Sequence, residues 1–94
     1  MLPIEWRATA REDLAEILSF ISAKSTSAAR RLAADIQAAV QPTAEHPYLF
    51  KPGRVPGTRE IVAHPNYVVV YRVTASCIEV INVLHARQQY PRPE

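Results

Sequence analysis

Residues 67–73, Tyr67-Val68-Val69-Val70-Tyr71-Arg72-Val73, set three consecutive β-branched valines between two tyrosines. Such a run favours a pleated, half-buried surface over a helix, and its near-continuous apolar character suits a central strand. Similar runs flank it at 58–63 and 78–84. His64-Pro65-Asn66 and Thr74-Ala75-Ser76 are short enough to close hairpins between them. The second half of the chain therefore predicts a three-stranded antiparallel meander.

Upstream of the meander, Pro47, Pro52, Gly53, Pro56 and Gly57 interrupt regular structure, so residues 46–57 read as a loop. Before it lie two amphipathic patterns. Leu14, Ile17, Leu18 and Ile21 make one helical stripe; Ala29, Leu32, Ala33, Ile36, Ala39 and Val40 make another. Thr9 followed by Glu12 has capping-box spacing and predicts the first helix start. Lys24-Ser25-Thr26-Ser27 separates the two helices and supplies a cap for the second, which Pro42 should end near Val40. So short a link predicts an antiparallel helical hairpin. At the amino terminus Leu2, Ile4 and Trp6 alternate with Pro3 and Glu5 as a short strand, which Pro3 confines to an edge or a strand start. The expected fold class is α+β, in the order β-αα-βββ, with the helical hairpin covering one face of an antiparallel sheet. Ninety-four residues suit one domain, 1–94, with a loose tail from about Tyr90.

Composition narrows the functional classes. No stretch approaches the roughly 18 apolar residues of a membrane span, and the charged amino terminus lacks a signal-peptide core, so a cytoplasmic location is expected. The lone Cys77 cannot form an internal disulfide and reads as a partly buried side chain without an acid–base partner nearby. His46, His64 and His85 have neither zinc-like spacing nor companion cysteines, so no metal or cofactor is expected. Charge is uneven along the chain. Lys51, Arg54, Arg59, Arg72, Arg87 and Arg92 oppose only Glu60, Glu79 and Glu94 after residue 46. That excess suits either a solvated basic face or an anionic partner.

Three stretches sharpen this picture: Gly53-Arg54-Val55-Pro56-Gly57-Thr58-Arg59-Glu60, Asn66-Tyr67-Val68-Val69-Val70-Tyr71-Arg72-Val73 and Val83-Leu84-His85-Ala86-Arg87-Gln88. With Ala10-Arg11-Glu12-Asp13-Leu14 and Glu45-His46-Pro47, they resemble the RelE/ParE superfamily of toxins, in order along nearly the whole chain, and more closely its ParE branch. The resemblance implies the toxin of a type II toxin–antitoxin system, inhibiting growth and held in a hetero-oligomer by a cognate antitoxin. Leu14, Leu18, Leu32 and Ile36 on the two helices, and the edge strand at 2–6, are the expected antitoxin contacts.

The superfamily divides by target. RelE-like members cleave messenger RNA on the ribosome, and ParE-like members poison DNA gyrase without a known catalytic centre. RelE-like toxins carry an arginine soon after the aromatic residue that opens the central strand. Here Tyr67 is followed by Val68, Val69 and Val70, while Arg72 falls on the opposite face. Gyrase inhibition by binding is therefore the leading expectation, with Arg54, Arg59, His85 and Arg87 as target contacts. The alternative is a ribosome-dependent, metal-independent endoribonuclease using His85, Arg87 and Tyr90, because RNA cleavage needs a base, a cationic clamp and an acid within reach of one phosphate. His85 and Arg87 are two apart and share one face for as long as the strand continues. A further alternative is an inert relative that only binds antitoxin. Each candidate also has a structural reading: Arg59 held by nearby carbonyls or Glu60, His85 as a strand-end cap, Arg87 paired with Glu60 or Glu79, Tyr90 as a tail anchor.

Overall fold

The computed structural model describes residues 1–91. Its elements are β1 (Ile4–Trp6), α1 (Ala8–Ser22), α2 (Thr26–Val40), a single 3₁₀ turn (Gln41–Ala44), β2 (Lys51–Pro52), β3 (Arg59–His64), β4 (Tyr67–Val73) and β5 (Ile78–His85). The strands form one sheet in the order β1-β5-β4-β3-β2. The meander β3-β4-β5 is antiparallel, as its hairpin spacing requires. Two features depart from the sequence expectation. β1 joins β5 in parallel, with Ile4, Glu5 and Trp6 beside Ile78, Glu79 and Val80, so the sheet is mixed. Within the predicted loop, Lys51 and Pro52 pair with Glu60 and Arg59 as a two-residue edge strand.

Ser25 caps α2, its Oγ accepting a hydrogen bond from the Ala28 N–H at 3.2 Å. The helix ends at Val40, and Pro42 sits in the 3₁₀ turn that follows. The capping box expected at Thr9 does not form. Arg7 leaves β1 in an extended conformation, its N–H donating to Val80 O, and becomes the N-cap without a side-chain bond. The helix therefore starts at Ala8, and the Thr9 hydroxyl is left for another partner.

Both stripes pack on one sheet face. Ala10, Leu32, Ile36 and Val40 from the helices meet Ile61, Val69, Tyr71, Ile78, Val80 and Val83 in the main core. Leu14, Ile17, Leu18 and Ile21 are partly buried around it. β4 is covered on its other face as well. There Glu60, Val70 and Asn82 lie side by side in register. Arg54 folds back onto Glu60, with Nε 3.3 Å from Oε2 and its backbone N–H donating to the same oxygen at 2.8 Å. Arg54 Nη1 also donates to Gln88 O. Tyr90 Oη donates to Asn82 Oδ1 at 3.0 Å. The loop after β2 and the segment after β5 thus meet over Val70. Two glycines shape that loop: Gly57 has φ of 85°, and a Cβ at Gly53 would collide with Thr58 Oγ1. Tyr90 is held by its bond to Asn82, and the loose tail expected from about Tyr90 falls mostly on residues 92–94, which lie outside the described residues.

Ile36 is wholly inaccessible beneath the sheet. Ile36→Ala should lower unfolding free energy by about 2–5 kcal/mol, read from urea denaturation at unchanged slope. A loss under about 1 kcal/mol would contradict this packing.

Candidate functional site

β1 ends opposite Val80, which leaves the rest of β5 without a strand neighbour on that side. Two side chains one turn apart on α1 replace it. The Thr9 hydroxyl donates to Ile81 O at 2.5 Å. Asp13 Oδ2 accepts from both Val83 N–H at 3.0 Å and Asn82 Nδ2 at 2.9 Å. Here α1 acts as a substitute strand edge, meeting backbone groups that would otherwise lose their partners. Asn82 then passes the contact on to Tyr90. Burial pushes the Tyr90 phenol pKa up, and the carboxylates of Glu60 and Asp13 add to the rise, so the hydroxyl keeps its proton for this bond.

The histidine and arginine at the end of β5 are arranged differently from the strand reading. β5 stops at His85, and Arg87 lies in the following turn, where its backbone N–H donates to His85 Nδ1 at 3.1 Å. The two therefore do not continue along one strand face. The exposed His85 caps the turn while its ring meets Tyr67 edge-on at 5.5 Å; His64 stands on the other side of Tyr67 at 5.7 Å. His64 Nδ1 caps its own turn in the same way, accepting from Asn66 N–H. Arg87 is exposed and makes no ion pair among the described residues. Glu60 and Glu79, its expected partners, are engaged elsewhere. Glu60 binds Arg54, and Glu79 binds Arg72 at 2.6 Å and Arg7 at 2.8 Å.

Arg59 also has a structural job. Its Nη1 donates to Phe50 O at 2.7 Å and Tyr48 O at 3.4 Å, and its guanidinium lies 4.9 Å from the Tyr48 ring centre. Glu60 is not its partner. Of the four cationic or imidazole target candidates, Arg54 and Arg59 brace loops, His85 caps a turn, and Arg87 alone projects without a fixed side-chain role among the described residues.

The apolar candidates separate in the same manner. Leu32 and Ile36 are 5% and 0% exposed, so they belong to the core rather than to a docking surface. Leu14 and Leu18 are half-buried and reachable only in part. Sequence reading passed over Phe20, which is 65% exposed on α1. With Ile17, Glu16, Tyr67, Val83 and His85 it lines a groove of about 480 Å³ between α1 and the sheet. An apolar residue beside, not within, the Leu14–Ile21 stripe was the available signal. Tyr48 and Leu49, exposed in the loop before β2, were also passed over. Among the described residues no cluster of histidine, cysteine or carboxylates is arranged to hold a metal, and no helix is long and apolar enough to cross a membrane.

A helical hairpin on one face of a five-stranded mixed sheet is the α+β architecture of the RelE/ParE-like fold. Residues 4–90 match the family described as the ParE toxin of the type II toxin–antitoxin system parDE, and the chain belongs to that family. It is 39% identical over 90 residues to the protein named "Putative toxin Y4kP" of Sinorhizobium fredii, spanning 95% of this chain and 93% of that one. It is 32% identical over 88 residues to toxin RelE2 of Caulobacter vibrioides, spanning 92% and 97%. In structure it is similar to a chain of the chromosomal ParDE toxin–antitoxin system of P. aeruginosa, with TM-score 0.79, 21% identity and coverage of 90% and 96%. A more distant fold likeness is to YafQ of E. coli, with TM-score 0.51, 16% identity and coverage of 92% and 94%. The chain is thus a toxin of the RelE/ParE superfamily, on the ParE side, and membership of a type II system implies an antitoxin partner.

Two measurements check the local chemistry. Asp13→Ala leaves Val83 N–H and Asn82 without their acceptor and should cost about 1–3 kcal/mol, with faster amide exchange at Val83 than at Ile78. Unchanged Val83 exchange would refute the edge-capping role. Hydrogen bonding from Arg72, and then from Arg7, holds the Glu79 carboxyl below its ordinary value of 4.5. A depressed carboxylate contributes stability above its unfolded pKa and loses it as pH falls through the folded one. Wild type should therefore exceed Glu79→Gln in stability at neutral pH, with the gap closing below pH 4.5. A gap that stayed constant down to acid pH would contradict the pairing.

Proposed function

We propose that this toxin arrests growth by binding DNA gyrase, and that it acts by occupying its target rather than by cleaving RNA. The observation that carries the proposal is Val68. At the place where the RNA-cleaving branch keeps a cation after the opening aromatic residue, this chain has a valine that is 5% exposed. An apolar side chain there can neither clamp nor neutralise a phosphate.

The remaining candidates support the same reading. His85 lines the Phe20 groove, Tyr90 lines a neighbouring recess with Thr9 and Asn82, and Arg87 sits in the turn between them. The Tyr90 hydroxyl is already spent on Asn82. General acid–base cleavage needs its groups converging on one reacting oxygen, and among the described residues no side chain–side chain hydrogen bond ties His85, Arg87 and Tyr90 to one another. Binding makes no such demand, and the exposed Arg87 and His85 remain available as contacts on a target surface. The antitoxin then takes the Phe20 groove, where Ile17 and Val83 offer an apolar floor and an amphipathic helix fits. Leu14 and Leu18 border that approach. Such a toxin works in the cytoplasm, beside its target and its antitoxin.

Controlled expression in a bacterial host tests this reading. The expected outcome is filamentous cells with an induced DNA-damage response. A rapid stop in protein synthesis, with messenger cut within codons, would overturn it in favour of the endoribonuclease. Unimpaired growth would point to a relative that only binds antitoxin.

A further inference from the structure

Residues 47–50 form a loop that is held rigid from beneath while its apolar tip faces outward. Three of its four carbonyls are bound by inward side chains. Tyr71 Oη donates to Pro47 O at 2.6 Å, and Arg59 Nη1 reaches both Tyr48 O and Phe50 O. Phe50 points inward and meets the Tyr71 ring edge-on, with centres 6.3 Å apart. The Leu49 N–H donates back to His46 O at 3.2 Å. With the backbone and Phe50 so fixed, Tyr48 and Leu49 are left 67% and 62% exposed, side by side. The Arg59 guanidinium supports the Tyr48 ring from one side. Exposed apolar side chains on a floppy loop would lose entropy on docking; on a braced loop that loss is small. An aromatic and an aliphatic anchor on a fixed backbone is the make-up of an interface hot spot.

The surroundings of the tip are basic. Within residues 45–59 Glu45 is the only carboxylate, against Lys51, Arg54 and Arg59. Arg54 is satisfied by Glu60, and Lys51 is exposed. This convex tip is well separated from the concave Phe20 groove. Tyr67 lines the groove and Tyr71 braces the tip, four residues and about 13 Å apart along β4. A groove receives a helix from a partner, whereas a knob enters a partner's pocket.

We infer that Tyr48 and Leu49 are the knob by which this toxin seats in its target protein, entering an apolar pocket rimmed by carboxylates that meet Lys51. The inference rests on the reading that the toxin acts by binding, and it assigns that act a surface the cationic candidates do not include. Lys51 contributes steering toward the acidic rim, and Tyr48 and Leu49 supply the desolvated centre.

The test is the variant Tyr48→Ala/Leu49→Ala, with Lys51→Glu as a second, independent variant. Both retain the Arg59 and Tyr71 hydrogen bonds to the loop carbonyls and the Phe50–Tyr71 contact, and the double variant gives up only the Arg59–Tyr48 ring contact, so circular dichroism should match wild type and thermal melting should stay close to it. Growth arrest on induction should fall about tenfold or more for the double variant. Lys51→Glu should weaken arrest by a smaller factor. Both variants should still co-purify with the antitoxin encoded beside the toxin. Inhibition of purified gyrase on relaxed plasmid should fall in parallel with growth arrest. A folded double variant as toxic as wild type would overturn the inference. So would loss of antitoxin co-purification with toxicity intact, which would make the knob an antitoxin contact. If wild type leaves gyrase untouched while growth arrest still depends on Tyr48 and Leu49, the gyrase reading fails and the knob stands. A wild-type chain that arrests nothing would end both.

Discussion

The pairing of β1 with β5 and its continuation through α1 holds the two halves of this chain together. Ile4–Trp6 binds Ile78–Val80 across more than seventy residues of sequence, and nothing local specifies it. Where the strand ends, Thr9 and Asp13 carry the same line of hydrogen bonds along Ile81 to Val83. The helical hairpin is thereby placed against the sheet by polar contacts at its edge as well as by apolar contacts over its face. On the exposed side of the same strands, Arg7 and Arg72 close on Glu79 and tie β1, β5 and β4 together. An edge strand alone would leave half of β5 open to unwanted pairing; a helix laid along it removes that hazard.

The other organising fact is that β4 is covered on both sides by unlike means. Toward the helices it meets Leu32, Ile36 and Val40. Away from them it lies under a polar clasp of Arg54, Glu60, Gln88, Asn82 and Tyr90. Functional candidates that look alike in sequence are sorted by this arrangement. Arginines 54, 59 and 72 hold loops and strands in place, while Arg87 projects from a turn. Among the surfaces of the described residues that remain open are a concave apolar groove at the Tyr67 end and an exposed apolar tip at the Tyr71 end.

Much of this was legible in the sequence because it rests on local pattern. Tyr67–Val73 reads as the central strand, Ser25 caps α2, Pro42 stops it, and Pro3 confines the first strand to an edge. The unread parts depend on long-range contact. The parallel partner of β1 and the two-residue β2, half of it Pro52, have no periodic signal. Thr9 and Glu12 have the spacing of a capping box, yet tertiary contact takes the Thr9 hydroxyl for Ile81. Spacing placed His85 and Arg87 on one strand face, but β5 ends at His85. Leu32 and Ile36 carried the right periodicity for an apolar face, and periodicity cannot say whether that face meets the chain's own core or a partner. The family resemblance reached the toxin fold and role. Which candidate side chains remain free emerged only from the contacts that the fold makes with the others.

The central claim is that this toxin acts by occupying gyrase. Its most direct test is a binding isotherm between purified toxin and purified gyrase, with ribosomes and messenger RNA as a parallel sample. The account predicts a saturable toxin–gyrase complex of defined stoichiometry and intact messenger in the ribosome sample. Absence of any gyrase complex, together with cleaved messenger, would contradict it.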